Sequence, residues 1–174
     1  PRTVAQYQET LASPSEELQR LARTVSDMLY LATTEHGLAL PHPEQIRVQD
    51  EILALFDFYD ALADETHISM TTAGEGVILG DRLMVRRALN NLLSNALRHT
   101  PAHGAIVVDV DTTADATSIH VTNTGPAIDP DVLPRLFDRF YRADSARVHP
   151  ESIGAGLGLS ITRAIMRAHG GEAM

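Results

Sequence analysis

The sequence predicts an α/β fold, a two-layer sandwich with helices on one face of a mixed β-sheet, preceded by one long helix. Three observations predict it. Apolar residues in the first 32 positions recur at alternating steps of three and four, the period of a helical seam. Further along, short alternating apolar and polar runs come in pairs, separated by amphipathic stretches of helical period. A chain of 174 residues, 44% of them hydrophobic, suffices for one such core and an appendage.

The first helix carries Val4, Tyr7, Leu11, Pro14, Leu18, Leu21, Val25, Met28 and Ala32 on its seam. Ser13-Pro14-Ser15-Glu16 reads either as a kink in one continuous helix, because the seam keeps register on both sides, or as a fresh start capped by Ser13. Such a seam calls for a partner helix; the alternative is packing on its own domain. His36-Gly37 ends the helix and Pro41-His42-Pro43 makes an extended linker. The boundaries are therefore 1–36 for the helix, 37–44 for the linker and 45–174 for the sandwich. Residues 46–48 read as a short strand and 50–64 as an amphipathic helix. Residues 67–72 and 77–79 alternate as strands around Gly74 and Gly76. Residues 81–99 form a strong helix, capped by Asp81 and stopped by Thr100-Pro101. Residues 105–110 and 118–121 make a hairpin, 130–140 a short helix and 141–153 an irregular segment. A last helix, 157–169, ends at Gly170-Gly171.

Composition excludes several chemistries. The 14 basic side chains are all Arg, so the Lys of a Walker-type loop, of a eukaryotic-type protein kinase and of a Schiff base are all missing. No cysteine means no disulfide, no thiolate nucleophile and no Cys-based zinc site. A net charge of −9 argues against nucleic-acid binding and against contact with an anionic membrane. No apolar run is long enough to cross a bilayer. The charge is uneven. Residues 1–81 hold 4 Arg and 14 acids, whereas residues 82–174 hold 10 Arg and 9 acids, which leaves room for an anion site in the second half.

Three segments carry candidate chemistry. Asn91 and Asn95 are four apart, so both amides share one face of a helix where Asn is otherwise a poor choice. An amide oxygen can ligate Mg²⁺, and Arg98 can reach the same phosphates; a solvated polar face is the plain alternative. Gly154-Ala155-Gly156-Leu157-Gly158 opens the last helix, where closely spaced glycines let backbone N–H groups approach an anion. It lacks the preceding strand of a dinucleotide fold, and a lid hinge would use the same glycines. Asn123, at a strand end before Thr124-Gly125, can accept a hydrogen bond from an exocyclic amine, though an ordinary turn looks the same.

The order of these pieces, with Phe137-Asp138-Arg139-Phe140-Tyr141-Arg142 between them, resembles the ATP-binding domain of bacterial sensor histidine kinases. That domain belongs to the Bergerat-fold superfamily of gyrase B, Hsp90 and MutL. Residues 81–171 carry the likeness, and Ser26-Asp27-Met28-Leu29-Tyr30-Leu31 resembles the end of the second dimerisation helix of the same kinases. The segments around Arg86-Arg87-Ala88-Leu89 and residues 133–144 are most similar to the copper and silver sensor branch.

The resemblance implies a role for each matching residue. Asn95 would be the Mg²⁺ ligand, Asn91 would lie near the phosphates, and Arg98 and His99 would continue that box beside the nucleotide. Asn123 stands where the family places an adenine-reading Asp, followed by Gly125. Phe137 and Phe140 would form the aromatic box, Arg142 would reach the γ-phosphate, and Gly154, Gly156, Leu157 and Gly158 would form the second glycine box. Two positions depart from the pattern. Asn123 replaces a carboxylate, which removes charge assistance and weakens nucleotide affinity by about 1 kcal/mol, and Ala127 replaces a glycine. Asn91 falls where ATP-hydrolysing relatives keep a Glu base, and an amide takes no proton from water. That favours phosphoryl transfer over hydrolysis.

None of the eight His lies in a His-Glu/Asp-Leu-Arg-x-Pro context, so the phosphoacceptor is expected outside this chain. The expected function is the catalytic domain of a two-component kinase. It would use ATP and Mg²⁺, hand its phosphoryl group to a His and then to a response regulator receiver domain, and work as a homodimer on the cytoplasmic side of an inner-membrane parent. The alternatives are an interaction module with a degenerate nucleotide site and a stand-alone ATPase of the same superfamily.

Overall fold

The computed structural model describes residues 18, 21–22, 24–32, 40–142 and 156–174. Residues 24–32 are helical (α1). There follow β1 (Pro43–Arg47), α2 (Val48–Thr66), β2 (Ser69–Gly74), β3 (Val77–Asp81), α3 (Arg82–His99), β4 (Ala105–Thr112), β5 (Thr117–Asn123) and α4 (Gly158–Ala168).

The expected mixed sheet is present with three strands, in the order β2-β4-β5, parallel between β2 and β4 and antiparallel between β4 and β5. The other two strands form a separate antiparallel ladder, β1-β3, in which Ile46 faces Ile78. The strands around Gly74 and Gly76 are therefore no hairpin. Gly74 lies at φ +76°, where a Cβ would stand 2.0 Å from the Val110 carbonyl oxygen. The Gly76 carbonyl accepts from Val48 N at 3.0 Å, so the chain between the two glycines leaves one ladder and enters the other.

One face of the sheet is a core face. Ile106, Val108 and Val110 alternate inward along β4, as a half-buried strand requires. They meet Val48, Ile52 and Leu55 of α2 and Val85, Leu89, Leu93, Ala96 and Leu97 of α3. A second cluster lies on the next face of α3, where Met84 and Ala88 pack with Leu157, Ile161 and Ile165 around α4 and with Leu31 of α1. α3 is thus buried on two sides, and its Asn, Ser and Arg residues share the strip that remains.

Several boundaries differ from the sequence reading. β1 begins at Pro43, so Pro43 and Glu44, read as linker, pair with Asp81 and Gly80. A proline is tolerated at the first residue of a strand, where its missing N–H costs nothing. Val48 opens α2 instead of closing a strand. His67 is the left-handed C-cap of α2, not a strand residue, and its N–H bonds back to Asp64. The helix expected over 130–140 is only a 3-10 turn, Leu133–Arg135. Pro134 has no N–H to bond back to residue 130, and the chain there closes through i to i−3 bonds, Arg135 N to the Val132 carbonyl at 3.0 Å and Leu136 N to the Leu133 carbonyl at 3.3 Å. For the first helix, Leu18, Leu21, Val25 and Met28 of the seam are exposed, while Leu31, off the seam, is the residue buried against α3 and α4.

Candidate functional site

The site is built on α3. Asp81 caps it as the sequence indicates, with Oδ1 accepting from Met84 N at 3.0 Å. Its first half is held by Glu51 of α2, which is 1% exposed. One Glu51 oxygen accepts from Arg82 Nη1 at 2.6 Å and the other from Arg86 Nε at 2.7 Å. Glu44 also takes Arg82 Nε at 2.9 Å, and this contact holds the Glu44 carboxyl below its ordinary value. Arg87 pairs with Asp27 and lies over the Tyr30 ring at 4.2 Å, which fastens the end of α1 to the same helix. Neither Glu51 nor the Arg87 clasp stood out in the sequence, because an acid at the start of an amphipathic helix reads as surface.

The second half of α3 carries the predicted residues. Asn91 Nδ2 donates to the Gly158 carbonyl at 3.1 Å, and Thr162 Oγ1 donates to the same oxygen at 3.0 Å. Asn91 therefore ties the Asn-bearing helix to the glycine-rich start of α4. Asn95, one turn on, is half-buried, and its side-chain amide makes no hydrogen bond among the described residues. Arg98 and His99 follow at the open end. Burial first, and the Arg142 guanidinium second, hold Arg98 below its ordinary value. Burial and then Arg98 do the same to His99. Both are exposed as whole residues, yet protein crowds their titrating groups, and their nearest charges are alike in sign.

Asn123 ends β5. Its Nδ2 donates to the Thr124 carbonyl at 3.0 Å, which turns the amide so that its oxygen is the acceptor left for a ligand. Gly125 lies against the end of α3, where a Cβ would stand 2.9 Å from the His99 carbonyl oxygen. The strand-end turn and the open end of α3 are thus brought together.

The aromatic box and the second glycine box are also joined. Phe140, at φ +61°, donates its N–H to the Gly156 carbonyl at 3.0 Å. Gly156, at φ +72°, has no room for a Cβ, which would stand 2.8 Å from the Tyr141 carbonyl oxygen. Leu157 is buried in the second cluster. Arg163 of α4 donates to the Phe137 carbonyl at 3.0 Å and lies over its ring at 5.5 Å, a contact that sequence reading missed. Gly154 and the irregular segment from 143 onward lie outside the described residues. Another contact absent from the sequence reading is His169. Its Nε2 accepts from Asp81 N at 3.1 Å while Nδ1 donates to the Ile165 carbonyl at 2.8 Å, locking the end of α4 to the start of α3. Among the described residues no three His, Asp or Glu side chains converge on a metal position, and no helix is long and apolar enough to cross a membrane.

Residues 80–173 match the family model described as histidine kinase-, DNA gyrase B- and HSP90-like ATPase. The chain is 47% identical over 171 residues to the probable sensor protein PcoS of Escherichia coli, covering 98% of this chain and 36% of the relative. It is 43% identical over 171 residues to the sensor histidine kinase CusS of Escherichia coli strain K12, covering 98% of this chain and 35% of the relative. It thus spans about a third of the length of the curated relatives it matches. Among solved structures, the mycobacterial sensor histidine kinase MprB superposes with a TM-score of 0.65 at 28% identity, over 73% of this chain and 82% of that one. Full-length ShkA, solved with AMPPNP, shares the fold at a TM-score of 0.81 and 23% identity, over 98% of this chain and 35% of that one.

Proposed function

The chain belongs to the histidine kinase-, DNA gyrase B- and HSP90-like ATPase family, and from that premise we propose that it is the ATP-binding catalytic part of a two-component sensor histidine kinase. The observation that carries the reading is the convergence of the predicted boxes at α3: Asn91 Nδ2 donates to the Gly158 carbonyl at 3.1 Å, Gly125 lies against the His99 carbonyl, and Arg142 is near enough to Arg98 to help hold that guanidinium below its ordinary value. Like charges drawn together at the open end of a helix are stabilised when a polyanion lies between them. A triphosphate is such an anion, and this family binds one.

The residues divide the work. Asn123 accepts from the adenine amine through its amide oxygen, and Gly125 lets that turn close on His99. Arg98 and Arg142 hold the phosphates. Asn95, a half-buried amide oxygen with no competing partner among the described residues, suits a hard cation and would hold Mg²⁺. That ion supplies charge neutralisation on the triphosphate. Asn91 commits its amide N–H to Gly158 and fixes the glycine-rich helix start. It has no proton-accepting carboxylate, which supports transfer to a protein His over hydrolysis. The acceptor His lies outside this chain, and the phosphoryl group passes onward to a response regulator.

Residues 1–36 are the partial dimerisation region. The exposed Leu18, Leu21, Val25 and Met28 support a partner helix from a second copy. Pro43 and Glu44 belong to the catalytic domain through their ladder, which shortens the linker. The likeness to proteins named PcoS and CusS, described as sensors, supports copper or silver as the signal of a parent protein anchored in the bacterial inner membrane.

The test is titration with Mg-ATP of the wild-type chain and of Asn95→Ala. The wild type binds, and the variant binds at least tenfold more weakly with an unchanged melting temperature. No binding by the wild type at millimolar nucleotide would support the interaction-module alternative instead.

A further inference from the structure

We propose that Thr124 is the positioning residue that sets purine selectivity at Asn123, so that a 6-aminopurine nucleotide is taken and a 6-oxopurine nucleotide refused. The inference rests on the nucleotide reading above and deepens it.

β4 and β5 pair antiparallel, and their last paired residues at this end are Ile106 and Asn123. Ala105 and Thr124 meet one step beyond. A hydrogen-bonded pair in such a ladder exchanges two backbone bonds. One of them is present: Thr124 N donates to the Ala105 carbonyl at 2.9 Å. The other is replaced. Ala105 N donates to Thr124 Oγ1 at 3.1 Å instead of to the Thr124 carbonyl. The hydroxyl thus takes the acceptor's place and releases the carbonyl, which accepts from Asn123 Nδ2 at 3.0 Å. The same replacement recurs at the far end of the hairpin, where Ala116 N donates to Thr113 Oγ1 at 3.2 Å. There the neighbours are Thr112 and Ala114, and no amide uses the carbonyl.

A carbonyl oxygen only accepts, so the atom facing it is the amide NH₂, and Oδ1 is the atom offered to a ligand. Gly125 leaves room for this orientation, since a Cβ there would stand 3.3 Å from Asn123 Nδ2. A carboxylate at this position would accept whichever way it turned. An amide reads either purine edge: its oxygen meets a 6-amino group and its NH₂ meets a 6-oxo group. Thr124 decides between them. With the amide held, a 6-oxopurine brings one acceptor against another and leaves both without a proton.

The experiment is an NMR shift titration, which reads millimolar affinities, of the wild type, Thr124→Val and Thr124→Ser with Mg-ATP, Mg-ITP and Mg-tripolyphosphate. Val keeps the shape and removes the hydroxyl, so Ala105 N recovers the carbonyl and the amide is free to turn. The wild type is expected to bind Mg-ATP at least tenfold more tightly than Mg-ITP. Thr124→Val should bring that ratio to threefold or less with tripolyphosphate unchanged, and Thr124→Ser should keep it. A ratio that survives Thr124→Val overturns the proposal, as does a parallel loss of all three ligands, which marks a purely structural role. A collapse of the ratio in Thr124→Ser does the same. A wild type that binds both nucleotides equally overturns this inference and leaves the nucleotide reading standing. One that binds neither overturns that reading as well.

Discussion

The two halves of α3 use the same residue type to opposite ends. In the first half, Arg82 and Arg86 close on the two oxygens of Glu51, and Arg87 closes on Asp27. In the second half, Arg98 stands beside Arg142 and His99, and each is held below its ordinary value or holds a neighbour there. The first half satisfies its charges inside the chain and so fastens α1, β1, α2 and α3 together. The second half gathers like charges at the helix end, where burial and the Arg142 guanidinium both press on Arg98.

The largest effect should come from breaking the first half. In Arg82→Ala/Arg86→Ala the Glu51 carboxylate stays buried without its two partners, which costs about 3–5 kcal/mol. Urea unfolding reads the loss, while nucleotide affinity per folded molecule stays within about twofold. A loss under about 1 kcal/mol would mean that water or α2 compensates Glu51, and the contrast between the halves would weaken.

A smaller effect tests the junction. Asn91→Ala removes the bond to Gly158 and should cost about 1 kcal/mol of stability. Mg-ATP affinity should fall much further, by tenfold or more, because the glycine-rich helix start is no longer held against α3. Equal losses in stability and binding would place Asn91 with the structural half.

The smallest effect is a pH dependence. His99 titrates below its ordinary value, so in that window the folded chain binds fewer protons than the unfolded one. Its contribution to stability is therefore complete above about pH 6.5 and is lost as pH falls through that value and below. His99→Gln should flatten this acid limb of the urea midpoint slightly, since solvent screens an exposed group. An inorganic polyphosphate that neutralises Arg98 should move the His99 titration upward, which its ring NMR shifts report. No movement would separate His99 from the anion site.

Much of the site was legible in the sequence because its residues lie on contiguous motifs. Asn91 and Asn95 share a helix face by spacing alone, and Gly156 and Gly158 stand where a helix must begin. The two-layer architecture followed from alternation along 105–110 and from the amphipathic helices. What the sequence did not disclose depended on partners far along the chain. The pairing of β1 with β3 needs Ile46 to find Ile78, and no local pattern distinguishes that from a hairpin between β2 and β3. The short helix expected over 130–140 gave way to a 3-10 turn with i to i−3 bonds at Pro134, which lacks the N–H that a longer helix would need there.

Local periodicity, capping and residue type, by themselves, determined the class of fold, the position of α3 and the residues that could meet an anion. Those properties depend on the neighbours within one or two turns, and the sequence contains them. Only the tertiary structure decided which arginines close on Glu51 and Asp27, which guanidiniums come near each other at the end of α3, which amide was spent on Gly158, and which aromatic of α2 reached α3. Each of those is set by a partner 30 or more residues away, brought near by burial of the shared core. Burial is non-directional: it decides that helices pack, and the few polar atoms at their contacts decide how.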